Sequence, residues 1–151
     1  MGLKYEEVIT ITSTFPSLLS LSINTIETKM NNIIKFGYTK EQILIMIKNF
    51  PFILGLNSKN IKDKIDFYRA IGIDNIILED TRQLIQRVDL SYARYCFYKD
   101  KGIIINQDNY INLFMSQKRF IEVYEITNKG LMELHNYEDY INIKEKIKVL
   151  N

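Results

Sequence analysis

Nine cations along the middle of the chain could do chemistry together: Lys29, Lys35, Lys62, Lys64, Arg69, Arg82, Arg87, Arg94 and Lys99. A row of lysines and arginines lining a groove along successive helices would contact phosphates, giving binding that weakens with salt and depends little on base sequence. The same residues could instead form the solvated outer faces of amphipathic helices. Aromatic residues interleave with an arginine at Tyr92-Ala93-Arg94-Tyr95-Cys96-Phe97-Tyr98. Tyrosine and arginine stack on unpaired bases, which would suit a single strand. Helical spacing of Tyr95, Phe97 and Tyr98 is more simply core and rim packing.

Other chemistries are poorly provided for. His135 is the only histidine, so neither a His-based triad nor a His-cluster metal site can be built. Glu138 and Asp139 follow it at spacings of three and four, but two or three mixed ligands without a fourth make a poor metal site. Asp63/Asp66 and Glu6/Glu7 read as helix-surface carboxylates, and Gly37, Gly55 and Gly72 stand apart rather than clustering into a phosphate-binding loop. The single cysteine, Cys96, excludes a disulfide framework or a thiolate zinc site; it reads as a small buried apolar residue and suits a reducing cytoplasm. These patterns argue against an enzyme, and no cofactor is expected. No apolar run approaches the roughly 18–20 residues needed to cross a bilayer, and the start MGLKYEE lacks the basic-then-apolar layout of a signal peptide. A cytoplasmic location is therefore expected.

Net charge is only +2, but it is unevenly spread. Residues 1–28 carry one lysine against three glutamates, and residues 29–69 carry eight cations against three acids. Residues 70–102 balance at five against five, and residues 103–151 carry six against seven. The positive field is thus concentrated in the middle of the chain.

Those cations must be positioned by helices. Phe15-Pro16 and Phe50-Pro51 are the same dipeptide 35 residues apart, and Ile26/Ile61, Met30/Ile65 and Ile33/Tyr68 keep the same step, with Gly37 and Gly72 closing the two copies. A period of this size, read as helix pairs, marks an α-solenoid in which no single copy buries its own apolar face. Tyr5–Thr14 is expected to be helical although Ile-Thr-Ile-Thr also alternates like a strand. Thr39 and Gln42 form a capping box, Ser22 and Ser58 cap the second helices, and Lys59, Lys62, Lys64 and Arg69 point largely outward. A third copy repeats Phe67–Ile73 at Phe97–Ile103, five residues early, with the loss placed near Arg87–Asp89 and helices expected over Asp74–Gln86 and Leu90–Lys101. A fourth, degenerate copy sets Tyr110, Ile111, Leu113 and Phe114 in the places of Ile43, Leu44, Met46 and Ile47. After it come Lys118–Glu125, a cap at Thr127-Asn128, a short helix through Leu131 and Leu134, and a closing helix Tyr137–Leu150.

The recurring order of a helix, then proline with two apolar residues (Pro16-Ser17-Leu18-Leu19; Pro51-Phe52-Ile53-Leu54), then a second helix ending in glycine, resembles the repeats of the mitochondrial transcription termination factor family. The resemblance covers about Tyr5–Gly102 well and Asn106–Phe120 weakly. It implies repeats of two α-helices plus a short 3-10 turn, stacked into a curved solenoid whose concave basic face binds double-stranded nucleic acid. The expectation is an all-α, short solenoid of three to four irregular helix-pair repeats in one domain spanning 1–151, with repeats at about 4–37, 38–73, 74–103 and 104–126 and capping helices over 127–151. The expected function is nucleic-acid binding as a small transcriptional or mobile-element regulator, with duplex DNA favoured over RNA and the nine cations lining the groove. The alternative is a protein–protein interaction solenoid acting as an inhibitor or adaptor of a single partner.

Overall fold

The computed structural model describes residues 4–142, which contain eight complete α-helices, the described part of a further helical segment, four 3-10 turns and no strand. The alternating Ile-Thr run is helical, in α1 (Tyr5–Thr14). Its threonines explain how: Thr10, Thr12 and Thr14 each donate a hydroxyl hydrogen bond to the carbonyl four residues back, so groups that would compete for the backbone are used within the helix. Pro16 then holds Phe15 out of the helical region, at φ −131° and ψ 73°. The chain passes through the 3-10 turn η1 (Pro16–Ser20) into α2 (Ile23–Lys35), capped by Ser22. The second copy repeats this as α3 (Lys40–Asn49), Phe50 at φ −150° and ψ 82°, η2 (Pro51–Gly55) and α4 (Ser58–Ala70). Thr39 and Gln42 form the expected capping box. The cap of α4 is Asn57 rather than Ser58: its Oδ1 accepts from the backbone N–H of Lys59 and Asn60, while the Ser58 hydroxyl accepts from the Asn32 amide.

The third copy breaks the expected helix Asp74–Gln86. α5 (Ile76–Glu79) stops at Asp80, which takes the same off-helix conformation (φ −136°, ψ 75°), and η3 (Thr81–Ile85) and α6 (Val88–Asp100) follow. With no proline here, polar side chains make the joint. Thr81 donates to the Ile77 carbonyl, and the Asp80 carboxylate accepts from Arg82 Nε and Gln83 Nε2. From this joint residue to the closing glycine the count is 22 in each of the first three copies, since 37 − 15, 72 − 50 and 102 − 80 agree. From glycine to the next joint it is 13 for Gly37 to Phe50 but 8 for Gly72 to Asp80. The five missing residues therefore come from the first helix of the third copy, now only α5, and not from the neighbourhood of Arg87–Asp89.

In the fourth copy the first helix is replaced by turns over residues 106–109. Tyr110, Ile111, Leu113 and Phe114 accordingly form η4 (Tyr110–Phe114) and stand where Pro51, Phe52, Leu54 and Gly55 stand, not where Ile43–Ile47 stand. α7 (Gln117–Tyr124) is capped by Ser116 and ends at Glu125, whose φ of 58° takes the left-handed place that Gly37 (96°), Gly72 (76°) and Gly102 (73°) fill in the other copies. α8 (Asn128–Leu134) begins at the Thr127 cap. Residues 137–142 are helical, and the rest of the closing helix expected over Tyr137–Leu150 lies outside the described residues.

The described residues form two compact units, residues 4–70 with 74–85, and residues 71–73 with 86–142. In the first, α2 lies against α3 and η2, and α4 against η3, burying Ile33, Ile43, Leu54, Ile65, Tyr68 and Leu84. Ile33 and Tyr68, equivalent by the 35-residue step, are both in this core. In the second, α6 packs on α8 and η4 around Ala93, Tyr98, Leu113, Phe120 and Leu131. No helix among the described residues is long and apolar enough to cross a membrane.

Candidate nucleic-acid interface

The nine cations divide into three kinds. Lys29, Lys64 and Arg94 each sit seven residues after the cap of a second helix (Ser22, Asn57 and Arg87) and make the same inward contact. Lys29 Nζ donates to the Leu56 carbonyl at 3.0 Å, and Lys64 Nζ donates to that of Leu84. Arg94 Nη1 donates to the carbonyls of Leu113 (2.9 Å) and Met115, and its Nη2 to Asn128 Oδ1 at 3.0 Å. Every carbonyl in this set belongs to the last turn or C-cap of the next copy's 3-10 turn. Such carbonyls have no partner in their own short helix and carry its negative dipole end, so a cation from the neighbouring copy satisfies both needs.

This corrects the expected role of two residues outright. Lys64 is 8% exposed and Arg94 2%, so neither reaches a phosphate; half-buried Lys29 is committed to the same kind of contact. Burial lowers the pKa of both Lys64 and Arg94, and the guanidinium remains charged at any pH the fold meets. Two tyrosines reinforce the row: Tyr68 Oη donates to the Gln83 carbonyl at 3.1 Å and Tyr98 Oη to that of Asn112 at 3.4 Å. The signal for all of this was helical spacing. Ile26, Lys29, Met30 and Ile33 stand at i, i+3, i+4 and i+7, one face of α2, as do Ile61, Lys64, Ile65 and Tyr68 on α4.

Four cations are exposed but tied to carboxylates. Lys62 pairs with Asp66 at 2.6 Å, Arg82 with Asp80 at 3.1 Å, and Arg87 grips Asp89 with both Nε and Nη2. Arg69 lies over the Tyr38 ring, 5.3 Å from its centroid, with Nε 3.6 Å from Asp74. Lys35 and Lys99 are exposed and enter no ion pair among the described residues. The interleaved aromatics pack on one another: Phe97 lies 5.0 Å from Tyr124 and 5.4 Å from Phe120, and Tyr92 lies 5.1 Å from Tyr140.

Burial pushes the Tyr38 hydroxyl up to about 12, with the Asp74 carboxylate adding to the rise and Arg69 opposing it. A phenol whose folded pKa is raised stabilises the fold fully below its ordinary pKa of about 10 and loses that contribution as pH climbs to the folded value. Stability is thus expected to fall between pH ~10 and ~12, and less steeply in Tyr38→Phe. Urea midpoints across that range check this, and an identical slope in both proteins would refute it.

A model of the mTERF family, the mitochondrial transcription termination factors, matches residues 1–72, ending on the glycine that closes the second copy. No curated protein and no solved structure matches the chain. Both full helix, 3-10 turn, helix copies lie inside that match, so residues 1–72 are similar to the mTERF-like helical-repeat family.

Proposed function

We propose that the chain binds double-stranded nucleic acid, DNA in preference to RNA, and serves as a small transcriptional or mobile-element regulator rather than an enzyme. The observation that carries this reading is a coincidence of place. The mTERF match and the excess of eight cations over three acids in residues 29–69 fall on the same part of the chain. With Lys29, Lys64 and Arg94 turned inward, the contacts come from Lys35, Lys62, Arg69, Arg82, Arg87 and Lys99. Four of these hold carboxylates on the surface, where an ion pair is worth only about 0–1 kcal/mol, so exchanging the carboxylate for a phosphate costs little. The three arginines can then grip phosphate oxygens with two donors each.

The test is fluorescence anisotropy with duplex DNA, single-stranded DNA and duplex RNA at several salt concentrations. Duplex binding is expected, with log affinity falling linearly in log salt by about 0.9 per phosphate neutralised. Charge reversal of Lys35 is expected to weaken all duplexes alike and to reduce that slope by about 1. No binding to any nucleic acid at low salt would overturn the reading.

A further inference from the structure

The fourth residue of every 3-10 turn is a leucine: Leu19, Leu54, Leu84 and Leu113. Three of them are 0–1% exposed, but Leu19 is 76% exposed. The first helix shows the same contrast: Ile43 is fully buried, whereas its counterpart Val8, 35 residues earlier, is 43% exposed. In the second copy the element that covers this face is known, because α2 lies on α3 and η2. It brings Met30 and Ile33 as its apolar stripe and Lys29 as the cation that reaches the Leu56 carbonyl. α4 does the same to η3 with Ile65, Tyr68 and Lys64, and α6 to η4 with Tyr98 and Arg94. In the first copy the counterpart of the Leu56 carbonyl is that of Leu21, and no side chain among the described residues donates to it. Tyr5, Ile9 and Ile23 are exposed as well.

We propose that the face formed by Val8 of α1 and Leu19 of η1 is a docking site for an amphipathic helix of a partner protein, with a lysine or arginine seven residues past its cap that donates to the Leu21 carbonyl. The internal examples define the occupant: each time this face recurs in the chain it carries a helix of that description. The acids of residues 1–28 lie elsewhere, Glu7 pairing with Lys48 and lining with Glu6 the cleft between α1 and α3, so the visitor is set by the apolar face and the Leu21 carbonyl. A second copy of the chain fits less well. Its cations at this helix position are already bonded internally, and α7 has Val123 there instead. The site needs no nucleic acid and stands whether or not the chain binds any.

The probe is a fluorescent peptide of residues 22–38, the segment that covers the equivalent face of the second copy, constrained as a helix because short helices are marginal alone. Titrated with the full chain, it is expected to bind. Leu19→Asp, a change at an exposed position that leaves the core untouched, is expected to weaken it about tenfold or more, and so is replacing the peptide's lysine by glutamine. A circular-dichroism melt of Leu19→Asp matching the parent shows that the fold is kept. Binding that ignores Leu19→Asp, or no binding, overturns the proposal. So does a dimer in sedimentation that dissociates on Leu19→Asp, because the face would then belong to self-association.

Discussion

Replacing Arg94 by methionine is expected to destabilise the fold by about 3–5 kcal/mol, although the residue reads in sequence as one member of a surface row. Methionine keeps much of the apolar volume but leaves the carbonyls of Leu113 and Met115 and the Asn128 side chain without their donor. A buried acceptor stripped of its partner costs about 1–3 kcal/mol, and here the loss falls on three groups that join η4 and α8 to α6. The guanidinium also lies 4.7 Å from the centre of the Phe120 ring, a contact that methionine replaces only in part. Against a total stability of roughly 5–15 kcal/mol this is a large fraction. Arg94→Lys is expected to recover less than half, because a single ammonium cannot span acceptors that the planar fork reaches from Nη1 and Nη2. Urea unfolding followed by circular dichroism measures both. A methionine variant within about 1 kcal/mol of the parent would mean the hydrogen bonds contribute little. The same protein separates structure from function: at a temperature where Arg94→Met is still folded, its affinity for duplex DNA should equal the parent's.

The repeat was legible because its punctuation is chemical. Proline forbids the helical conformation just before it, and Gly37 and Gly72 supply a left-handed turn that other residues resist, so both leave marks at fixed offsets. The third joint was not legible, because there the turn is made by hydrogen bonds from Thr81 and to Asp80, residues as common on any helix surface as in a joint. The site was misread for a related reason. Counting charge treats every lysine as a surface lysine, yet Lys64 lies on the apolar face of its helix with its stem along the core and its ammonium on a carbonyl. Its step of 35 from Lys29, and Arg94's step of 30 from Lys64, are the steps of the core positions themselves. A charge that keeps the core's period on the apolar face of its helix is a charge the core uses. Arg69 and Lys99 also stand 30 apart but lie off that face, and like Lys35 and Arg82 they are left to solvent.

The same register yields a sharp contrast between two leucines. Leu54→Ala is expected to cost about 2–5 kcal/mol, and Leu19→Ala less than about 0.5, although both are the fourth residue of a Pro-initiated 3-10 turn. Leu54 is closed in beneath α2, so truncation removes buried methyl groups and leaves a cavity that rigid neighbours cannot fill. Leu19 already stands in water, so its truncation removes little that folding had gained. Turn geometry is matched in the pair, and what differs is the helix lying on one and, among the described residues, missing from the other. The difference in urea midpoint therefore reports the covering helix alone. Equal costs at the two positions would show that the stability of each turn is local, and would remove the reason for regarding the Val8–Leu19 face as a place that a helix should occupy.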